Sequence, residues 1–304
     1  MKTTIKDVIN RIDDWKDKKV NYEELGGGIT NHNYIVTVQD KANGKFQKFV
    51  VRIPGEKTDI FIDRENELEC SVEAGKTGVA PEVVYSLKPE NVTVIQFIDG
   101  KTLNIKDIVN DNQIIAKIVS AIKTIHEKAK FKSIFNPFET IRRYMNYVKQ
   151  YDAPLPYDIN WMIGISDRIE EAVNKNKIPI VACHNDYLSE NFIYDGRRIW
   201  IIDWEYGGQG DPYFDLADFA VEHPFNIEQE KFIIREYCGN NDDEKYARMY
   251  LYKIISDLWW GIWAMIQSKI STINFDYFSY GNSRFDRMRS NIKDPRFEKS
   301  LSLL

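Results

Sequence analysis

The sequence predicts an α+β fold in two lobes. An antiparallel sheet with one helix (residues 1–98) precedes a larger, mainly helical body (residues 99–304). Three observations carry this expectation. The first hundred residues hold β-branched and aromatic runs separated by turn signals. After "DGKTL" the apolar residues recur at helical spacing. Strands are thus segregated from helices instead of alternating with them, which argues against a βαβ sheet.

Each element follows from its own stretch. "NYIVTVQD" and "FQKFVVRI" read as strands, with "KANGK" as the turn between them. "DRENELECSVEAGKTG" reads as a helix closing at Gly75 or Gly78. "PEVVYSL" and "NVTVIQFI" read as two more strands, and the boundary falls near Asp99–Gly100. Helical patterns follow in "IVNDNQIIAKIVSAIKTIHEKA", "PFETIRRYMNYVKQY" and "WMIGISDRIEEAVNK". "HNDYLSENFI" and "IWIIDWEYGG" read as loop and short strands, and the chain from about Pro212 onward is helical again.

Composition narrows the function. The chain has 304 residues and a formal net charge of -5, which argues against a general nucleic-acid binder, since that needs a basic face. Cys70, Cys183 and Cys238 lie far apart and form no CxxC, as expected of a reduced, cytoplasmic protein. The start "MKTTIKDVINRIDDWKDKK" has no apolar stretch of the kind a signal peptide carries. The richest apolar run, "LWWGIWAMI", is about half of the roughly 20 residues a membrane span needs, so stable membrane insertion is not expected. Oligomeric state is open, with a homodimer as one option.

The reactive groups concentrate in "HNDYLSENFI" and "IWIIDWEYGG". Asp186 is an acceptor on a loop and can orient a hydroxyl and take its proton. Asn191, five residues later, offers a carbonyl oxygen. Asp203, twelve residues beyond it, offers a carboxylate at the end of an apolar strand. Hard oxygen ligands of this kind suit Mg²⁺ that is also held by substrate phosphates. The order base, metal ligand, metal ligand is that of protein-kinase-like phosphotransferases. The plain alternative is a pair of polar turns flanking a hairpin, because Asp and Asn are common there. His184 reads as a brace for this loop, and His126 as a helix-surface or buried structural residue.

The N-terminal lobe offers nucleotide contacts. In "ELGGGITNHNYIV" glycines allow backbone N–H groups to approach phosphates, although a hairpin turn uses the same residues and no Walker A motif is present. Arg52 stands on the strand "FVVRIPG" and can fork onto phosphate oxygens; a solvent-facing strand-end Arg is the other reading. Glu65, Glu67 and Glu69 compete to be its acidic partner. In the tail, Trp260 and Trp263 are three apart, as are Tyr277 and Tyr280. Four such rings can box a quaternary ammonium, each contact contributing on the order of 0.5–2 kcal/mol when desolvated. Glu222 could add a counter-charge and Tyr206 a further wall. The competing reading is an aromatic core stripe, which is where Trp259 and Phe278 are expected.

With these residues in view the chain resembles the choline/ethanolamine kinase family, a branch of the aminoglycoside-phosphotransferase-like kinases. The resemblance covers nearly the whole chain: "GGGITN", "VVRIPG", "APEVVY", "IQFIDGKTL", "HNDYLSENF", "IIDWEYGGQGDPYFDLADFAVE" and "WWGIWAMIQSKISTINFDYFSYGNSRFD". It implies a two-lobed protein-kinase-like fold that binds ATP in the first lobe and carries the catalytic and acceptor sites in the second. It implies Asp186 as catalytic base, with Asn191 and Asp203 on Mg²⁺. Gly27, Gly28, Asn31 and Arg52 would face the nucleotide phosphates, with Glu67 as the favoured partner of Arg52. The backbone of Gln96, Phe97 and Ile98 would meet adenine. Trp260, Trp263, Tyr277, Tyr280, Tyr206 and Glu222 would form the acceptor site, and Asp215 would brace the catalytic loop. The implied reaction is ATP plus choline giving phosphocholine. Ethanolamine is the first alternative, since "HPFNIEQ" offers only Phe225 where eukaryotic relatives carry more aromatics. An aminoglycoside kinase and a catalytically dead binding protein are the remaining rivals.

Overall fold

The structure is a computed structural model that describes residues 3–26, 31–42, 44–55 and 60–304. It begins with helix α1 (Ile5–Arg11), started by a capping box in which the Thr4 side chain accepts from the Asp7 amide and the Asp7 side chain accepts from the Thr4 amide. Strands β1 (Lys19–Leu25), β2 (Asn31–Gln39) and β3 (Phe46–Pro54) follow, then helix α2 (Arg64–Gly75) and strands β4 (Val83–Leu87) and β5 (Val92–Gln96). The five strands form one antiparallel sheet in the order β1-β2-β3-β5-β4.

Alternation along the strands gives the sheet two faces. Val36, Val38, Phe49, Val51, Ile53, Val92 and Val94 are buried in one cluster with Ile5, Val8, Ile12 and Trp15. Burying each such aliphatic side chain contributes roughly 1.5–3 kcal/mol. The sheet therefore carries α1 as well as the expected α2. Seven residues are too short for a clear period, although Ile5, Val8 and Ile12 do lie on one stripe. β1 was also not expected: it is an edge strand, largely exposed, with no apolar alternation to mark it. Arg52 alternates with Val51 and Ile53 and so lies on the other face of β3.

Beyond the sheet come β6 (Lys101–Thr102), α3 (Ile105–Val109), α4 (Asn112–Lys128), α5 (Pro137–Tyr151) and α6 (Ile159–Lys175). The expected single helix over "IVNDNQIIAKIVSAIKTIHEKA" is divided. Asp111 turns its side chain back onto the amides of Gln113 and Ile114 and starts α4 afresh. Short strands β7 (Val181–Cys183), β8 (Phe192–Tyr194), β9 (Ile199–Ile201) and β10 (Gly208–Gly210) surround the two motif stretches. β6-β8-β9 form one small sheet and β10-β7 another.

Helices α7 (Pro212–Glu222), α8 (Ile227–Cys238), α9 (Asp243–Ile270), α10 (Tyr277–Lys293) and α11 (Arg296–Leu303) complete the chain. α9 is buried all round from Ala247 to Ile266, as expected of a helix at the centre of a body. α7, α10, α5 and α11 pack around it. The α+β class expected from the sequence is the fold observed. Among the described residues no helix is long and apolar enough to cross a membrane. The three cysteines form no disulfide.

Candidate active site

The loop between β7 and β8 is fixed from beneath by α7. Asp215, fully buried, accepts from the amides of His184 (3.0 Å) and Asn185 (2.6 Å). It also accepts from His126 Nε2 on α4 at 2.8 Å, so the brace extends through a buried histidine to a second helix. Asp218, one turn on, accepts from the Tyr187 amide at 2.7 Å. His184 donates from Nε2 to the Ile202 carbonyl (2.9 Å) and accepts at Nδ1 from the Asp186 amide (3.2 Å). One donor and one acceptor make a neutral imidazole, and burial lowers its pKa accordingly. His184 thus ties the Asp186 loop to the end of β9.

Two residues there hold unusual backbone. Asn185 (φ 68°) and Asp203 (φ 72°) lie in the left-handed region, which non-glycine residues adopt at a cost and chiefly at functional sites. The Asn191 side-chain amide donates to the Asp186 carbonyl at 2.9 Å, leaving its own carbonyl oxygen as the ligand it can offer. Asp186 itself is half-buried. Loss of solvent, then the nearby charges of Asp218, Asp203, Glu222 and Glu205, push its pKa well above the ordinary carboxylate range. This side chain sits where the field asks for positive charge.

On the sheet side, Arg52 answers part of that field. Its Nη2 lies 2.7 Å from Asp203 Oδ1, 3.4 Å from Glu67 Oε1 and 3.5 Å from Glu205 Oε1. Burial opposes the guanidinium charge, but these carboxylates outweigh it and raise its pKa. Glu67 also pairs with Arg64 at 2.6 Å. Of the three competing glutamates it is the one beside Arg52. Glu65 pairs with Lys88 at the surface and Glu69 lies by Lys132. Asn31 donates to Glu205 at 2.7 Å. The carboxylates of Glu67, Asp203 and Glu205 offer oxygens within 4.8 Å of one another. Oxygen-only donors so close together fit a hard divalent cation such as Mg²⁺.

The proposed base-binding segment is less open than the sequence suggests. The amides of Gln96 and Phe97 donate to Glu82 (2.9 Å) and Lys48 (3.4 Å), so contact with a base edge would fall to the Ile98 amide and the carbonyls. Gly27 and Gly28 lie outside the described residues.

The aromatic residues form a chain of steeply inclined rings. Tyr206 meets Trp260 (centroids 5.3 Å, 79°), Trp260 meets Trp263 (5.3 Å, 85°) and Trp263 meets Tyr277 (5.7 Å, 71°). Tyr280 joins through Phe275 at 5.9 Å. Trp260 donates from Nε1 to Asp218 at 3.1 Å, which links this wall to the catalytic loop. Tyr277 is buried, its hydroxyl accepting from Ser271, and touches the group only through Trp263 and Phe275. Trp259 is core, as expected; Phe278 is not. It is 53% exposed, because α10 turns Tyr277, Gly281 and Phe285 inward and Phe278 out. Glu222 differs from expectation too, since its carboxylate is already in a buried ion pair with Arg284.

A cavity of about 410 Å³ opens beside Glu205 and Tyr206, walled by Phe61, Tyr144 and Trp259, with Asp63 and Glu139 at its polar side. Sequence reasoning passed over Glu205, Arg64, Asp218's bond to the loop, and Arg284. A signal existed for the first two. Glu205 stands two residues from Asp203, in the turn that follows β9. Arg64, Glu67, Cys70 and Ala74 mark the buried stripe of α2, which Glu65 and Glu69 leave.

Known proteins with the same arrangement can now be compared. The model of the choline/ethanolamine kinase family matches residues 22–251 and 241–289. The "Probable ethanolamine kinase A" of Dictyostelium discoideum is 29% identical over 302 residues, covering 90% of this chain and 85% of its own. The "Probable choline kinase 2" of Arabidopsis thaliana is 25% identical over 309 residues, covering 90% and 87%. The crystal structure of a choline/ethanolamine kinase family protein from Mesorhizobium loti superposes with a TM-score of 0.84 at 30% identity, covering 97% of this chain and 96% of that one. These matches span both the sheet and the helical body, and with the two-lobed protein-kinase-like fold they show that the chain belongs to the choline/ethanolamine kinase family.

Proposed function

We propose that the chain transfers the γ-phosphoryl group of ATP to the hydroxyl of a small amino alcohol, with choline preferred. The observation that carries this reading is the placing of Asp186. Its backbone carbonyl accepts from Asn191, and its carboxylate lies in the field of Asp203 and Glu205, which suit a metal beside Arg52, and near Tyr206 and Tyr280 of the aromatic set that suits a cationic acceptor. Asp186 orients the acceptor hydroxyl and takes its proton. The new oxygen–phosphorus bond forms as the bond from the γ-phosphorus to the bridging oxygen breaks, and ADP leaves. Asn191 and Asp203 would hold Mg²⁺, with Glu205 beside them; the ion, when bound, neutralises charge on the transferring phosphoryl group. Arg52, kept at this spot by Glu67, contributes fixed positive charge to the same region.

Preference for choline rests on what the acceptor walls offer. A trimethylammonium gains from π faces and apolar burial and has no N–H to satisfy. A primary ammonium brings three donors, and each left unpaired in a dry pocket costs about 1–3 kcal/mol. The second reading is ethanolamine, favoured by the name that the Dictyostelium relative carries. ADP release measured with choline, ethanolamine, their methylated intermediates and kanamycin tests both. Turnover of kanamycin alone, or of none of these, would overturn the proposal.

A further inference from the structure

The acceptor side contains one charged residue that the proposed mechanism does not use. Arg284 stands on α10 with its side chain 4% exposed. Its guanidinium pairs with Glu222 on α7, donates from Nη2 to the Tyr280 hydroxyl at 2.5 Å, and lies over the Tyr280 ring at 4.8 Å. A carboxylate and an aromatic face are the partners an ammonium ligand would seek.

The position of Arg284 is set by packing. α9 and α10 cross at Gly261 and Gly281. A Cβ on Gly261 would meet the Phe285 ring at 2.6 Å, and one on Gly281 would meet Met265 at 2.8 Å. This close approach brings Arg284, three residues from Gly281, over the helix that carries Trp260 and Trp263. Asp257 on that helix is fully buried and already receives three bonds from Arg287, at 2.9, 3.0 and 2.5 Å. It stands 3.5 Å from Arg284, so the closer partner of Arg284 is Glu222.

The acceptors beside Trp260 and Tyr280 are mostly engaged already. Asp218 accepts from the Tyr187 amide, the Ser256 hydroxyl and Trp260. Asp257 serves Arg287. Arg284 engages Glu222 and the Tyr280 oxygen. Asp186 is committed to the hydroxyl. A primary ammonium would approach a carboxylate to hydrogen-bond distance, whereas a quaternary nitrogen is held off by its methyls. Compensating the charge of Glu222 therefore penalises the primary ammonium more.

We propose that Arg284 is a specificity-determining positioning residue: by holding Glu222 and Tyr280 it withdraws their charge and oxygens from the acceptor site, and so selects a quaternary over a primary ammonium. This rests on the amino-alcohol kinase reading above. The test is kcat/KM for choline and for ethanolamine in the wild type and in Arg284→Met, Arg284→Lys and the double variant Arg284→Met with Glu222→Gln. Arg284→Met should raise the ethanolamine-to-choline ratio at least about tenfold, because Glu222 becomes available to N–H donors. Arg284→Lys keeps a cation on Glu222 and should keep the ratio, and the double variant should reverse the shift. If Arg284→Met does not fold, Arg284→Gln carries the same expectation with a polar side chain that can still bond Tyr280. A wild type that turns over neither amino alcohol overturns the kinase reading and this inference with it. An active wild type whose neutral Arg284 variants lose efficiency on both acceptors in equal proportion overturns this inference alone, and leaves Arg284 a packing residue.

Discussion

The site has two ends, each built round a buried arginine, and the two are buried in different ways. Arg52 joins β3, α2 and the segment after β9, where sheet and helical body meet, and its nearest partner Asp203 keeps 30% of its side chain exposed. Arg284 joins α7, α9 and α10 wholly inside the helical body, where Asp257 is 0% exposed and Glu222 9%. The first cluster is the more accessible, through Asp203. In the second, Arg284, Glu222 and Asp257 are almost wholly buried, while Arg287, which pairs with Asp257, reaches solvent. The contrast teaches where each kind of information is kept. On the proposed reading, phosphoryl chemistry belongs to the partly exposed cluster round Arg52. On the same reading, acceptor choice belongs to the buried cluster round Arg284.

The largest effect should come from the junction. Asp203→Ala should abolish turnover at any Mg²⁺ concentration, and Asn191→Ala should only raise the Mg²⁺ needed, since each removes one oxygen ligand and Asp203 brings the charge. Mg²⁺ titrations of ADP release check this. Activity of Asp203→Ala, or activity in EDTA, would show that the metal end lies elsewhere. Next is the residue between the two ends. Asp186→Ala should lower kcat by about 10²–10⁴-fold with ATP binding retained, the usual scale of general-base work. Near-normal turnover would remove the base from the scheme.

A smaller effect separates the ends. Trp263→Ala should raise the choline KM strongly and the ATP KM little, because the ring stands between Trp260 and Tyr277 in the proposed acceptor wall and not in the Arg52 cluster. Equal changes in both would make Trp263 part of the core only. The smallest effect is in the pH profile. Asp186 must be ionised to accept a proton, and burial plus its acidic neighbours raise its pKa. Activity should therefore fall as pH drops through that raised value. A bound cationic acceptor favours the ionised form and lowers the value again. At saturating ATP and Mg²⁺ the acid limb of kcat/KM for choline should lie at higher pH than the acid limb of kcat. Two coincident limbs near the ordinary carboxylate pKa of about 4 would contradict the field described for the loop.

How much of this could be read beforehand follows the same division. Asp186, Asn191 and Asp203 stand within one stretch of chain, so their spacing is visible in the sequence. The pairing of Arg52 with Asp203 spans 151 positions, and no local pattern records it. Arg284 lay in plain view in "YGNSRFD", but its partner Glu222 is on another helix, 62 positions away, and no local pattern records the pairing. Strands with an apolar face were legible, whereas β1 was not, because an edge strand shows solvent on both sides. Phe278 was misplaced because an aromatic off the face shared by Tyr277 and Tyr280 looks like core until the side that α10 turns inward is known.

The central claim is that the aromatic end of the site recognises a quaternary ammonium. Its most direct measurement is competition. Equimolar choline and ethanolamine are given to the wild-type protein with limiting ATP and Mg²⁺, and the two phosphorylated products are quantified together by ³¹P NMR, which reads the ratio of kcat/KM values. Phosphocholine should exceed phosphoethanolamine by about 10- to 100-fold, corresponding to a net difference of roughly 1.4–2.8 kcal/mol. Equal amounts, or an excess of phosphoethanolamine, would contradict the claim and mark the site as one for a primary ammonium.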